Sequence, residues 1–296
     1  MKFDDDRVDA SQLEDRRGTG RGAGGMGRGG MMGAGAGGLG VVALLVLLLL
    51  GVNPLESDFT GTATGTQPAP ASDVATRCNT PGAVDRYQDC FIVKIFNENN
   101  EIWTDQVQGY QRPTLVFFER GVRTGCGPAS SQTGPFYCPA DSKVYVDLGF
   151  MSQLLTTLGA EGRNAQAYVI AHEVGHHLQN LVGTERQARR LQQQNPRAAN
   201  DISVRLELQA DCYAGVWARQ ADERGKVAIT QQEYNQAIDA AAAVGDDRIQ
   251  AGAGQRVDPE TWTHGSARAR QGWFARGFES GDPGRCDTFN SSTDDF

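Results

Sequence analysis

Only four histidines occur in these 296 residues, and none of the six cysteines belongs to a C-x-x-C pair. A zinc knuckle built from paired thiolates is therefore excluded in its usual spacing. Positive charge is also short, with 28 Lys and Arg against 36 Asp and Glu, a formal net charge of -8 and a pI of about 5.1. No basic patch with interleaved aromatics appears, which argues against nucleic acid as a partner, since proteins that bind it carry a basic stripe. Repeats at solenoid periods are absent too. What remains is a chain long enough for one large domain or two small ones, with a buried core and a cleft.

Charge of either sign is missing between Arg28 and Glu56. Inside that gap "LGVVALLVLLLLGV" runs from Leu39 to Val52. Extended back to Gly33, a helix over residues 33–53 rises about 1.5 Å per residue and reaches roughly 30 Å, the thickness of a bilayer core, so a transmembrane helix in a lipid bilayer is expected there. A cleaved leader is the rival reading, because "PAPAS" at Pro68 to Ser72 offers an A-x-A-like site. That site lies well beyond the apolar run and behind a leader far longer than usual, which favours an uncleaved anchor. Lys2, Arg7, Arg16, Arg17, Arg21 and Arg28 precede the span and nothing basic follows it until Arg77. The N-terminus is then expected in the cytoplasm, with a single pass carrying the rest of the chain outside.

Residues 1–32 mix charges without apolar periodicity and then turn Gly-rich, so a disordered cytoplasmic tail is expected. Residues 54–76, rich in Thr, Gly, Pro and Ala, read as a flexible stalk. The folded domain is expected over 77–296. All six cysteines lie after the apolar run, in the compartment where disulfides persist. Six cysteines allow fifteen connectivities. The simplest joins Cys78 to Cys90 and Cys126 to Cys138, leaving Cys212 for Cys286.

Three runs, "FIVKIF" from Phe91, "TLVFFE" from Thr114 and "KVYVDL" from Lys143, are β-branched and aromatic and suggest a small sheet. After Gly149 the pattern becomes helical. One helix is expected from an Asn164 cap to Gly183, a second from Asp201 to Gly225, a third behind a Thr230/Glu233 capping box, and a last from Ser266. The fold class is α+β, mostly helical with a small sheet.

"AHEVGHHLQN" holds three of the four histidines. On a helix His172 and His176 lie one turn apart and can share one ion, while Glu173, about 100° round the axis, can reach a water without ligating the metal. His177 points away from that face and is not expected to be a ligand. Zinc peptidases complete the shell with another His or with a Glu from a following helix. The residue ten past His172 is Val182, so the three-His form is absent, and "ELQAD" offers Glu207 as the third ligand. Asp211, one turn later, is placed to accept the Nδ1 proton of a ligating histidine. His264, in "THGSARARQGWF", is a candidate for the cleft together with Arg268 or Arg270.

The strings "LEDRRG", "TGCGPASSQTGPFYCP", "AHEVGHHLQNLVG", "VRLELQADCYAGVWA" and "THGSARARQGWF" resemble the bacterial putative neutral zinc metallopeptidase family. That resemblance implies a zincin-like catalytic domain on one anchor in the bacterial inner membrane, a single Zn2+ per chain and a peptide or protein substrate. It implies His172, Glu173 and His176 as the H-E-x-x-H, Glu207 and Asp211 as the E-x-x-A-D, and Thr263 to Gly265 as the T-H-G. His264 or, six residues on, Arg270 would then steady the oxyanion. The long Gly-rich tail departs from the family pattern. Two rivals are a zinc-stabilised, membrane-tethered binding or assembly factor without turnover, and an intramembrane protease. "AYVIAHEVGHHLQNLVG" is too short and too polar to span, which disfavours the second.

Overall fold

The computed structural model describes residues 1–18, 71–160 and 162–291. The expected transmembrane helix at 33–53, residues 19–32 of the expected tail and residues 54–70 of the expected stalk lie outside those residues. Among the described residues no helix is long and apolar enough to cross a membrane.

Helices dominate, as expected for an α+β chain. They are α1 (Ala71–Cys78), α2 (Ala83–Arg86), α3 (Gln88–Gln106), α4 (Leu148–Thr157), α5 (Arg163–Val182), α6 (Thr184–Gln194), α7 (Ala199–Glu223), α8 (Gln231–Ala243), α9 (Asp246–Gly252) and α10 (Ala267–Ser280). The strands are β1 (Lys2–Phe3), β2 (Leu13–Asp15), β3 (Thr114–Phe117), β4 (Gly121–Thr124), β5 (Gly127–Ser130), β6 (Phe136–Cys138), β7 (Lys143–Val146) and β8 (Val227–Ala228). A four-stranded sheet runs β2-β3-β7-β6, parallel between β2, β3 and β7 and antiparallel at β6, while β4 and β5 form a separate hairpin and β1 pairs with β8.

Three expectations need correction. Residues 1–18 belong to the fold: β2 pairs with β3 in the register Leu13 to Leu115, and Lys2 and Phe3 pair with Ala228 and Val227. Val8 and Leu13 pack into the core there, and polar partners fix the backbone between them. Asn79 and Asn97 each accept from the N–H and donate to the C=O of Val8 and Asp9, at 2.9–3.1 Å. Residues 71–76 are the start of α1 with Val74 fully buried, not stalk. The third correction is "FIVKIF", which lies inside α3. Phe91 to Phe96 are buried all round that helix, so its sequence shows no one-sided stripe and looks like a strand.

The remaining helices follow their signals closely. α5 starts one residue before the Asn164 cap and ends at Gly183; Thr230 and Glu233 form the capping box of α8; Ser266 caps α10. Three disulfides join Cys78 to Cys90, Cys126 to Cys138 and Cys212 to Cys286, matching the simplest pairing.

Two glycine contacts bring the functional helices together. A Cβ on Gly175 of α5 would sit 3.0 Å from the Ala210 backbone of α7, so its absence lets those axes close in beside the H-E-x-x-H. Where α7 crosses α10, a Cβ on Gly215 would meet the Phe274 carbonyl at 2.1 Å and one on Gly277 the Cys212 carbonyl at 2.0 Å. Both crossings flank Asp211.

Candidate metal centre

Helix α5 is buried on every side from Ile170 to Gln179, so its polar residues there must be partnered inside the protein. His172 and His176, one turn apart, turn their Nε2 atoms to within 3.1 Å of each other. Glu207 enters from α7, with Oε2 3.1 Å from His172 Nε2 and Oε1 3.5 Å from His176 Nε2. A tetrahedral zinc ion with bonds of about 2.0–2.1 Å holds its donors about 3.3 Å apart. The spacing of these three side chains matches that edge.

Behind the donors each imidazole is anchored. His172 Nδ1 lies 2.8 Å from Asp211 Oδ1, and His176 Nδ1 lies 2.9 Å from Gln179 Oε1. Such contacts at Nδ1 leave Nε2 free for a metal. Asp211 is wholly buried and is also bonded by Tyr168 Oη at 2.5 Å and by Arg270 through Nε at 2.7 Å and Nη2 at 3.0 Å. Burial alone would raise its carboxyl pKa; Arg270 and His172 outweigh that and hold it below the ordinary value. Burial likewise disfavours a charged His172, yet Asp211 and Glu207 carry it up to about 10.

Glu173 stands apart. It is buried at 7 % exposure, and its Oε2 has no hydrogen-bond partner. Desolvation pushes its carboxyl up to about 7, the Glu207 charge adding to the rise and His172 opposing it. An orphaned carboxylate oxygen beside three converging donors fits a site arranged around an ion and its water.

His264 and Arg270 line the same cleft, with His172, Glu173, His176 and Glu207. Their roles differ from a matched pair. His264 Nδ1 contacts Thr263 Oγ1 at 3.0 Å and Asp246 Oδ1 at 3.3 Å, so Nε2 is the atom left for the cleft. Asp246 Oδ2 also accepts from the backbone N–H of Thr263, His264 and Gly265 at 2.7–3.0 Å, which fixes the whole loop. Arg270, expected to steady an oxyanion, bonds Asp211, Tyr168 Oη and the Val244 carbonyl, and its Nη2 lies 3.4 Å from His172 Nδ1 and 3.7 Å from Glu207 Oε2. It holds Asp211, and through Asp211 it holds His172. Arg268 is exposed, on another face of α10.

His177 behaves as its direction on the helix implies. It is buried between Tyr137 Oη at 3.0 Å and the Gln111 carbonyl at 2.6 Å, away from the donors. Tyr168, Gln179 and Asp246 were missed by motif reading. Tyr168 and Gln179 lie four residues before His172 and three after His176, so helical spacing alone would have put them on the ligand face. Asp246 carries no such local signal. A second group of potential ligands, Cys78, Asp89 and Cys90, is closed as a metal site by the disulfide joining its two cysteines.

Two histidines one turn apart on a helix and a glutamate from the next long helix form a group that could hold a metal ion, with a second buried glutamate beside them, an arrangement of the metallopeptidase class. The chain belongs to the family described as "Putative neutral zinc metallopeptidase", whose pattern matches residues 1–289. Membership implies zinc as the metal and a peptide or protein as the substrate. Among its relatives are the uncharacterized Escherichia coli K12 protein YpfJ, 45% identical over 79% of this chain and 82% of that one, and an uncharacterized Mycobacterium tuberculosis protein, 43% identical over 83% and 85%. No solved structure matches it.

Proposed function

We propose that this protein is a zinc-dependent peptidase whose general base is Glu173. The observation that carries the reading is the unpartnered, buried Oε2 of Glu173 beside His172, His176 and Glu207. A zinc ion held by those three would supply Lewis acidity, lowering the pKa of a water and polarising the scissile carbonyl. Glu173 takes the proton from the attacking water and passes it to the leaving amine, a role worth about 10² to 10⁴ in rate. His264, steadied at Nδ1 by Asp246, directs Nε2 at the negative charge that develops on the carbonyl oxygen. Arg270 and Tyr168 act one step back by fixing Asp211 and, with it, the orientation of His172. A tethered factor without turnover would have no use for a buried Glu173 oxygen left without a partner, so the enzyme reading is favoured.

Three disulfides support placing the domain in an oxidising compartment outside the cytoplasm, and the apolar run at 39–52 supports membrane attachment through residues 33–53. The test is zinc content and chelator-sensitive cleavage of a peptide panel by the full chain and by Glu173→Gln. One zinc in both proteins, with cleavage down by about 10² to 10⁴ in the variant, is the expected result. Undiminished cleavage in Glu173→Gln would overturn the base assignment.

A further inference from the structure

The N-terminal segment and the metal centre are parts of one folded unit, and this bears on how the chain meets a membrane. β2 covers the edge of β3, whose Leu115, Val116 and Phe117 are fully buried. Without β2 that edge would present unpaired backbone groups. Lys94, buried in the middle of α3, donates to Asp5 at 2.8 Å, and Arg17 reaches Asp89, next to Cys90, at 3.2 Å. Asn100, fully buried on α3, donates to Gln12 at 2.8 Å. α1, which begins at Ala71, packs against β2. Thus β2 and α1, on either side of residues 19–70 in the sequence, pack together in one folded unit.

We infer that residues 1–18 and the metal centre lie in the same compartment, on one side of any membrane the chain enters. A bilayer is about 30 Å of hydrocarbon and no backbone ladder can be made across it. A single pass with residues 1–18 in the cytoplasm and the metal centre outside would pull β1 from β8 and β2 from β3. The expected topology from the positive charges before the span therefore gives way. Of those charges, Arg17 is bonded to Asp15 and Asp89, Arg16 to Glu14 and Arg7 to Asp5.

The inference is independent of whether the site cleaves peptides, and a cross-link tests it. Lys2 and Ala228 are exposed register partners in the β1–β8 pair, and every described cysteine is already in a disulfide. Antiparallel partners lie about 4.5–5.5 Å apart at Cα, inside the roughly 4.4–6.8 Å range that a disulfide bridges. The full chain carrying Lys2→Cys, Ala228→Cys and a protease site inserted between residues 19 and 70 is oxidised with diamide in intact cells, blocked with N-ethylmaleimide, solubilised, cut and then denatured in SDS without reductant. The N-terminal fragment is expected to stay attached until reductant is added, and to be released at once in either single variant. Release without reductant from the double variant in cells, while the same protein cross-links after purification in detergent, would overturn the shared compartment. Failure to cross-link in both settings would overturn the β1–β8 pairing on which it rests.

Discussion

Asp211 is the residue on which the centre turns, since it joins His172, Tyr168 and Arg270 in one buried network. Much of this was legible, because the H-E-x-x-H spacing is set by one helix and the E-x-x-A-D spacing by the next. What spacing could not reveal is the partner that arrives from elsewhere in the chain, as Asp246 does for His264. Replacing Asp246 with Ala strands three backbone N–H groups and should cost about 1–3 kcal/mol for each that stays buried, read in a denaturant titration. Asp246→Asn keeps an acceptor oxygen for those amides but loses the charge facing His264; it should recover most of the stability while kcat stays low and KM changes little. Glu207→Ala should leave the purified full chain without zinc by metal analysis, and one zinc retained in that variant would remove Glu207 from the ligand set.

At the scale of elements, close helix approach decides the architecture. Gly277 sits against the Cys212 carbonyl where α10 crosses α7, so Gly277→Ala should destabilise by about 1–3 kcal/mol or more through overpacking. Gly272, on the same helix with nothing within 4 Å of its would-be Cβ, provides the comparison. Gly272→Ala should be neutral or stabilise by up to about 1 kcal/mol in thermal unfolding. Caps and turns were readable in advance at Gly183, Thr230 and Ser266, where local chemistry settles the outcome. α3 was misread because burial on all sides erases the stripe that marks a helix, leaving β-branched and aromatic residues in an unbroken row.

For the whole molecule, residues 1–18 were illegible for a related reason: the core that receives Val8 and Leu13, and the partners Asn79, Lys94, Asn97 and Asn100, lie far along the chain. Lys94, through its hydrogen bond, holds the Asp5 carboxyl well below the usual carboxylate range. A carboxyl depressed in the folded state adds stability above its unfolded pKa, near 4, and loses it as pH falls through the folded value. Protection factors of the β1 and β2 amides, with the intrinsic pH dependence of exchange divided out, should therefore fall in strong acid and hold steady between pH 5 and about 8, whereas Lys94→Met should weaken that acid dependence. The centre itself is tested most directly by zinc K-edge absorption on the purified full chain. One zinc bound only by nitrogen and oxygen at about 2.0–2.1 Å, with scattering from two imidazoles, is the expected spectrum. Sulfur ligation, or a count of imidazoles other than two, would contradict the ligand set His172, His176 and Glu207.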